Sequence, residues 1–489
     1  MTPSTPLPGP CTRGLAVALV VALVQGCATK PPPSREQIQA EALRDTTVPQ
    51  SWSSQATQGA VGDNWVASFG DPQLDALVAE AIAHNTDLRI AAARMEEAAA
   101  QVDIADAQLK PAIGILGRAS SKPLSDFIAM AAGAIVRLAW EIDLWGRLRY
   151  ARNAERAMHD ASGADFRFAQ QSIAAGVARA WFVAAETARQ QQLAEQMASD
   201  AQSLVGLAEH RMRIGAGSED DVLIARTNAA TYQDAARQVE LAHAQALRAL
   251  EILLGRYPGT AIASRSDLPP FPTTAPPAGL PVDILARRPD IVAAQNRVAA
   301  AFNRVGEAKA AFLPSLSVLL GAGRLESQSN GFEDEPRNTR SASAMVNAPL
   351  YTGGALTGSL RLRNAEQERA IADYGRLALQ AFNEAEDALN AEQVLASRES
   401  LLQAATSDSR RVVGLQREAY RIGKVDLRTV TQSLLAASAT EVTLLHVRRE
   451  RLNQRVGLHL ALGGSFDATP AAVLPAPADA NAPAAGGRR

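Results

Sequence analysis

The chain has 489 residues, 47% hydrophobic and 20% charged, with a formal net charge of −2. That length allows two to four globular domains, and a pI of about 6.4 leaves no basic footprint for nucleic acid. Only 4% of residues are aromatic while alanine is abundant, which favours long, closely packed helices over a mixed core.

The first 26 residues read as a signal peptide. Arg13 precedes the apolar run GLAVALVVALV, which suits a signal core and is too short to span a bilayer as a helix. The run ends in LVQGC. A small residue before a cysteine at this place resembles the lipobox of bacterial lipoproteins, although Gln25 departs from the small residue usual there. That resemblance implies acyl chains on Cys27, and Ala28 in place of aspartate implies sorting to the outer membrane. Cys11 leaves with the signal, so the mature chain keeps Cys27 alone and has no disulfide framework.

After a lipid-anchored segment (27–60), the chain is a tandem duplication. DLRIAAARMEEAAAQVDIADAQLKP (Asp87–Pro111) aligns without gaps on DIVAAQNRVAAAFNRVGEAKAAFLP (Asp290–Pro314), and VGLAEHRMRIG (Val205–Gly215) on VGLQREAYRIG (Val413–Gly423). The first repeat is 61–264 and the second 282–464, joined by the Pro-rich connector 265–281. The Pro-, Gly- and Ala-rich tail 465–489 reads as disordered. Internal repeats of this kind decide the fold before any local pattern does.

Each repeat has the same order. A helix ends at a proline (Pro111, Pro314), two strands follow (near 111–121 and 133–145, then near 314–326 and 341–351), and a long proline-free stretch comes last. That stretch predicts helices over 147–213 and 217–254, and over 355–421 and 425–462. At 1.5 Å per residue the longer ones reach on the order of 100 Å, which demands a coiled coil, a helical array or a helical barrel. Both stretches are broken by Arg-Ile-Gly and a polar turn, RIGAGSEDDV (Arg213–Val222) and RIGKVDLRTV (Arg421–Val430). Gly215 and Gly423 supply the left-handed geometry that ends a helix, and Ser218 and Asp221 suit the first turn of the next.

In AIVRLAWEIDL, Val136, Leu138, Trp140, Ile142 and Leu144 alternate with Arg137, Ala139, Glu141 and Asp143. Strict period-two alternation over this length fits a transmembrane barrel strand, apolar to lipid and polar to a watery lumen. Across all proteins, a soluble hairpin with one face on a core is the commoner cause of such a pattern. Here the signal and the over-long helices weigh against it. The second hairpin is weaker, its last strand being mostly alanine and serine on both faces. Four strands leave two open edges, which lipid does not tolerate, and are too few to enclose a lumen. Several protomers must share one sheet, and three would give twelve strands.

GLPVDILARRPDIVAAQNRV (Gly279–Val298), the segment Trp65–Arg94, WEIDLWGRLR (Trp140–Arg149) and RIGAGSEDDV resemble the TolC-type outer-membrane efflux proteins, in their OprM/NodT-like lipoprotein branch. The likeness covers nearly the whole mature chain in order. It implies a mainly α homotrimer with a long α-helical barrel in the periplasm and a twelve-stranded β-barrel in the outer-membrane lipid, four strands from each protomer. It implies docking through a periplasmic adaptor onto an inner-membrane pump, and passage of small solutes outward. The two turns would then be tips that meet the adaptor (Arg213, Gly215, Ser218, Arg421, Gly423) and close the tunnel. At that gate Asp221 would pair with Tyr420; Gln432 stands where the family has an acidic residue, with Asp426 and Arg428 as nearby polar lining.

An enzyme is disfavoured: the six histidines lack metal-ligand spacing, so no metal or cofactor is expected beyond the acyl chains on Cys27. GAGSED and GAGRLE lack the third glycine of a dinucleotide fingerprint, and RIGK lacks the upstream glycine of a phosphate loop. The alternative is a lipid-anchored coiled-coil spacer or adhesin-like envelope protein. It explains the helices and Cys27 but neither the four strands nor the duplication.

Overall fold

A computed structural model describes residues 29–54, 59, 61–118, 130–259, 262, 265–272, 274, 276–329, 332–333 and 337–466. Cys27, the signal stretch, the first hairpin's loop and the tail beyond Phe466 lie outside these residues. In chain order the elements are α1 (Arg35–Ala42), a 3₁₀ turn (Val66–Phe69), α2 (Pro72–His84), α3 (Thr86–Gln108), β1 (Ala112–Arg118), β2 (Met130–Ile142), α4 (Arg147–Arg213) and α5 (Glu219–Leu253). A second 3₁₀ turn (Pro281–Asp283) leads to α6 (Ile284–Arg287), α7 (Pro289–Ala310), β3 (Ser315–Ser329), β4 (Phe332–Glu333), β5 (Arg337–Asn347), α8 (Ala355–Arg421) and α9 (Leu427–Ala461). The two long helices, α4 and α8, each have 67 residues.

The chain falls into two compact units. One holds Ala92–Asp165 and Val292–Leu377 with the chain up to Thr47; the other holds Val48–Ala91, Phe166–Ile291 and the chain from Ala378. Each unit therefore draws on both sequence repeats.

The first unit carries the sheet. Its long strands run β1-β2-β3-β5, all antiparallel, with the two-residue β4 beside the end of β3. Residues opposite each other share a face, and faces alternate along a strand. Ile113 faces Leu138, Leu138 faces Leu320, and Leu320 faces Ala342; the next row is Ile115, Val136 and Ala322. Trp140, Val318 and Ala344 form a third row, and Leu316 and Val346 pair beside them. One face thus carries an apolar band from Leu316 to Ala322, bounded by Arg340 opposite Ala322 and by Arg324 and Asn338 in the row beyond. The other is mixed: Arg137, Gly321 and Ser341 share one row, Glu141, Ser317 and Met345 another, with Ala139, Leu319 and Ser343 between them. Among the described residues nothing covers the apolar band: Ile113, Ile115, Val136 and Val346 are 71%, 76%, 47% and 67% exposed. The outer edges of β1 and β5 have no strand partner among the described residues.

Strand ends differ from the sequence expectation for local reasons. β2 stops at Ile142, because Asp143 turns away to cap α4. Its carboxylate accepts from Leu148 N at 3.1 Å and Arg149 N at 3.0 Å, and Gly146 takes a φ of +77° to bring the chain round. Leu144, expected on the strand's apolar side, therefore lies past its end. β5 stops at Asn347, short of Pro349, which has no amide hydrogen for a ladder.

The second unit has an aromatic core where Trp65, Phe69, Leu74, Val78, Trp181, Phe182, Leu250, Leu254 and Val456 meet. Asp71, 2% exposed, caps α2 ahead of Pro72. It also takes the Trp181 indole N–H at 2.9 Å and pairs with Arg265 at 3.1 Å. The RRPD segment serves packing: Arg288, with a side chain 6% exposed, joins Asp290 at 2.8 Å and Glu384 at 2.6 Å. Towards the turns the core narrows to a helical seam. Along α9, Leu427, Val430, Leu434, Ala437, Glu441 and Leu444 are buried in steps of three and four, the spacing of knobs in a coiled coil. Ala201, Leu204, Ala208, Val222, Ala225 and Ala229 pack with them.

Candidate gate at the two helix turns

Both turns end a long helix in the same way. Ala216 N donates to Arg211 O at 2.9 Å and Gly215 N to Met212 O at 3.0 Å; Lys424 N donates to Ala419 O at 2.8 Å and Gly423 N to Tyr420 O at 3.0 Å. With Gly215 at φ +74° and Gly423 at φ +78°, each is a Schellman motif that uses up the last carbonyls of α4 and α8. The following helices are capped by different residues. Ser218 Oγ accepts from Asp221 N at 3.2 Å, and the Asp426 carboxylate accepts from Thr429 N at 2.8 Å and Thr429 Oγ1 at 2.6 Å. The Thr429 hydroxyl and then its amide hold the Asp426 carboxyl below the usual carboxylate range.

Tyr420 occupies the seam between these turns and is 1% exposed. Burial first, and the Asp221 charge second, push its hydroxyl above the ordinary phenol range, partly opposed by Arg211. The structure thus brings Asp221 and Tyr420 within electrostatic reach but not into a hydrogen bond. The Tyr420 hydroxyl has no hydrogen-bond partner among the described residues, and its ring is covered by Arg211, whose Cζ lies 4.6 Å from the centroid. Arg211 also donates from Nη1 to the Tyr420 carbonyl and from Nη2 to Ala216 O at 2.9 Å.

The remaining expected residues are exposed. Arg213, Gly215, Ser218, Arg421, Gly423, Asp426, Arg428 and Gln432 all face outward in the single chain; Arg421 pairs with Glu418 at 2.6 Å. The two turns differ in charge. Arg213 stands against Glu219, Asp220 and Asp221 in the first stretch, whereas Arg421, Lys424 and Arg428 stand against Asp426 in the second. Acids suit a helix N-terminus and cations do not, so the start of α9 carries a charge its own helix does not favour. Farther up the seam, Glu441 binds Arg410, and Glu186 binds Arg449 at 2.5 Å. Sequence reasoning missed Arg211 and these buried acids. The repeat alignment puts Arg211 opposite Ala419, an asymmetry visible in the sequence, but its acceptors are main-chain carbonyls with no sequence signature. Among the described residues, no group of three or more His, Cys, Asp or Glu side chains is placed to hold a metal ion.

A sheet with an exposed apolar band, two long helix pairs and a twofold repeat fit a membrane β-sheet carried on a helical extension. The chain belongs to the outer membrane efflux protein family, whose model matches residues 77–256 and again 280–464. It is 27% identical to the probable efflux pump outer membrane protein TtgC of Pseudomonas putida over 465 residues, covering 92% of this chain and 95% of that one. It is 29% identical to the cation efflux system protein CusC of Escherichia coli K12, covering 82% and 88%. Among solved structures, the outer-membrane channel OprN has the same fold, with a TM-score of 0.78 at 24% identity over 90% of this chain and all of that one.

Proposed function

We propose that this protein is the exit duct of a tripartite efflux system. Three copies would close a twelve-stranded barrel in the outer membrane and continue it as a helical barrel into the periplasm, where an adaptor joins it to an inner-membrane pump. The observation that carries this is the sheet of four long antiparallel strands, with an exposed apolar band on one face and two edges that have no strand partner among the described residues. A backbone edge in lipid must find partners, and β5 of one copy against β1 of the next satisfies both edges by repetition. Lipidation of Cys27 fits this placement: Lys30 N donates to Tyr150 Oη at 2.8 Å, and Tyr150 lies in the first turn of α4, just past β2.

The two turns would form the closed periplasmic end. There Asp221 and Tyr420 form the lock, Asp426, Arg428 and Gln432 line the constriction, and Arg213, Gly215, Ser218, Arg421 and Gly423 meet the adaptor. The names of relatives, a cation system among them, do not fix the cargo, and a wide tunnel selects little. The test is to purify the protein from outer membranes, measure its mass in detergent, and record it in planar bilayers. A trimer that conducts ions is expected. A folded monomer, or a trimer with no conductance at any voltage, would sink the reading.

A further inference from the structure

One side chain reaches from the first turn to the second. Arg211 belongs to the last turn of α4, yet one arm of its guanidinium holds Ala216 O of its own turn and the other holds the Tyr420 carbonyl at the end of α8. That carbonyl already accepts from Gly423 N at 3.0 Å, so Arg211 takes its second lone pair. Two helix C-termini therefore converge on one cation. Each C-terminus carries negative partial charge, which a guanidinium there offsets. Only arginine has the planar fork that can serve two separate carbonyls and still lie flat on a ring.

Four of the ten buried residues in the apolar seam beneath the turns are alanine, Ala201, Ala208, Ala225 and Ala229. A methyl group buries little apolar surface compared with leucine, so polar contacts at the turns add to the adhesion that Leu204, Leu427 and Val430 supply. The repeat offers no second copy of the device, since Ala419 stands where Arg211 would recur.

We infer that Arg211 is the latch that holds the two turns of each protomer together in the shut duct, and that opening must break its bonds to Tyr420. The latch lies within one protomer and rests on reading the turns as the closed end of the duct. It acts through Tyr420 and the turn backbone, so it is a positioning residue and need not touch cargo.

The test uses the full-length trimer in planar bilayers, with Arg211→Ala and Arg211→Lys beside the parent. Arg211→Ala is expected to shift the closed-to-open ratio about tenfold towards open, the size of effect that goes with one charged hydrogen bond. Arg211→Lys keeps the charge but loses the fork and is expected to fall between the two. Hydrogen exchange at the Lys424 amide should quicken in both variants, while the thermal midpoint stays near the parent's. If Arg211→Ala does not assemble, Arg211→Lys decides. A conducting parent whose assembled variants gate and exchange as it does overturns the latch and leaves the exit-duct reading intact. A parent that never conducts overturns both.

Discussion

The Asp71 carboxylate accepts the indole hydrogen of Trp181 at 2.9 Å across 110 residues of sequence, and the same carboxylate caps α2 through Gln73 N and Leu74 N. One buried acid thus fixes where the first helix of the repeat meets the long helix that crosses both units. Asp71→Ala removes a cap, worth about 1 kcal/mol, and orphans a buried indole donor, worth about 1–3 kcal/mol. The expected loss is roughly 2–4 kcal/mol. It is measured as a drop of several degrees in the thermal midpoint of the detergent-solubilised protein, with Asp71→Asn falling in between. An unshifted midpoint for Asp71→Ala would contradict the assignment.

The sheet makes a face-specific prediction. Leu138→Lys puts a charge in the middle of the apolar band, in the row of Ile113, Leu320 and Ala342, where a lysine facing lipid costs up to about 2–4 kcal/mol. Ser343→Lys puts the same charge on the opposite face, in the register position facing Leu319. The first variant should be depleted from the outer-membrane fraction and the second recovered at close to parental yield. Equal recovery would mean that the two faces do not see lipid and water.

Acid should weaken the second unit through His459. Its imidazole is 6% exposed and stacks on Trp65 at 5.9 Å and 18°. Burial, and then the Arg455 charge, lower its pKa to about 4. The unfolded chain therefore binds a proton near pH 6.5 that the folded one refuses until about pH 4, so stability falls as pH drops through that window and levels off below it. The size is on the order of 3 kcal/mol. Both ring nitrogens lack a hydrogen-bond partner among the described residues, so His459→Phe keeps the stack and should flatten the curve between these limits. A variant as acid-sensitive as the parent would assign the effect elsewhere.

The proposed lock gives a gating prediction. Asp221→Ala combined with Tyr420→Phe should raise single-channel conductance over the parent, because it removes both the charge and the hydroxyl. Among the described residues that hydroxyl is unbonded, so Tyr420→Phe alone should change little. Parental gating in the double variant would remove Asp221 and Tyr420 from the gate.

Features written in local spacing were the most legible in the sequence. The alternation from Val136 to Ile142 announces β2, and the glycines of the RIG turns, with Ser218 and Asp221 behind the first, announce both helix reversals; the Asp426 cap behind the second emerges only from the structure. β5 was faint because Ala342, Ala344 and the serines between them give little contrast; its face becomes clear only from the register that sets Val346 against Leu316. The DLWGR segment was recognisable as a signature while its work was hidden. That work is the Asp143 cap and the Arg149 side chain closing on it at 3.1 Å. Arg211 was not legible as a site residue, because a bond to a carbonyl depends on where two distant turns meet and not on which residues they contain.

The strand pairing also sets the order of events as the chain leaves the inner membrane. β2 ends at Ile142, and the strand that flanks it on its second side does not begin until Ser315. Throughout that interval Val136, Leu138 and Trp140 emerge into water with only β1 beside them. A pairing so distant in sequence closes slowly, and a hairpin bare on its apolar side is an aggregation hazard while it waits. The first hairpin is therefore the part of the chain most exposed to misassociation before the second is made.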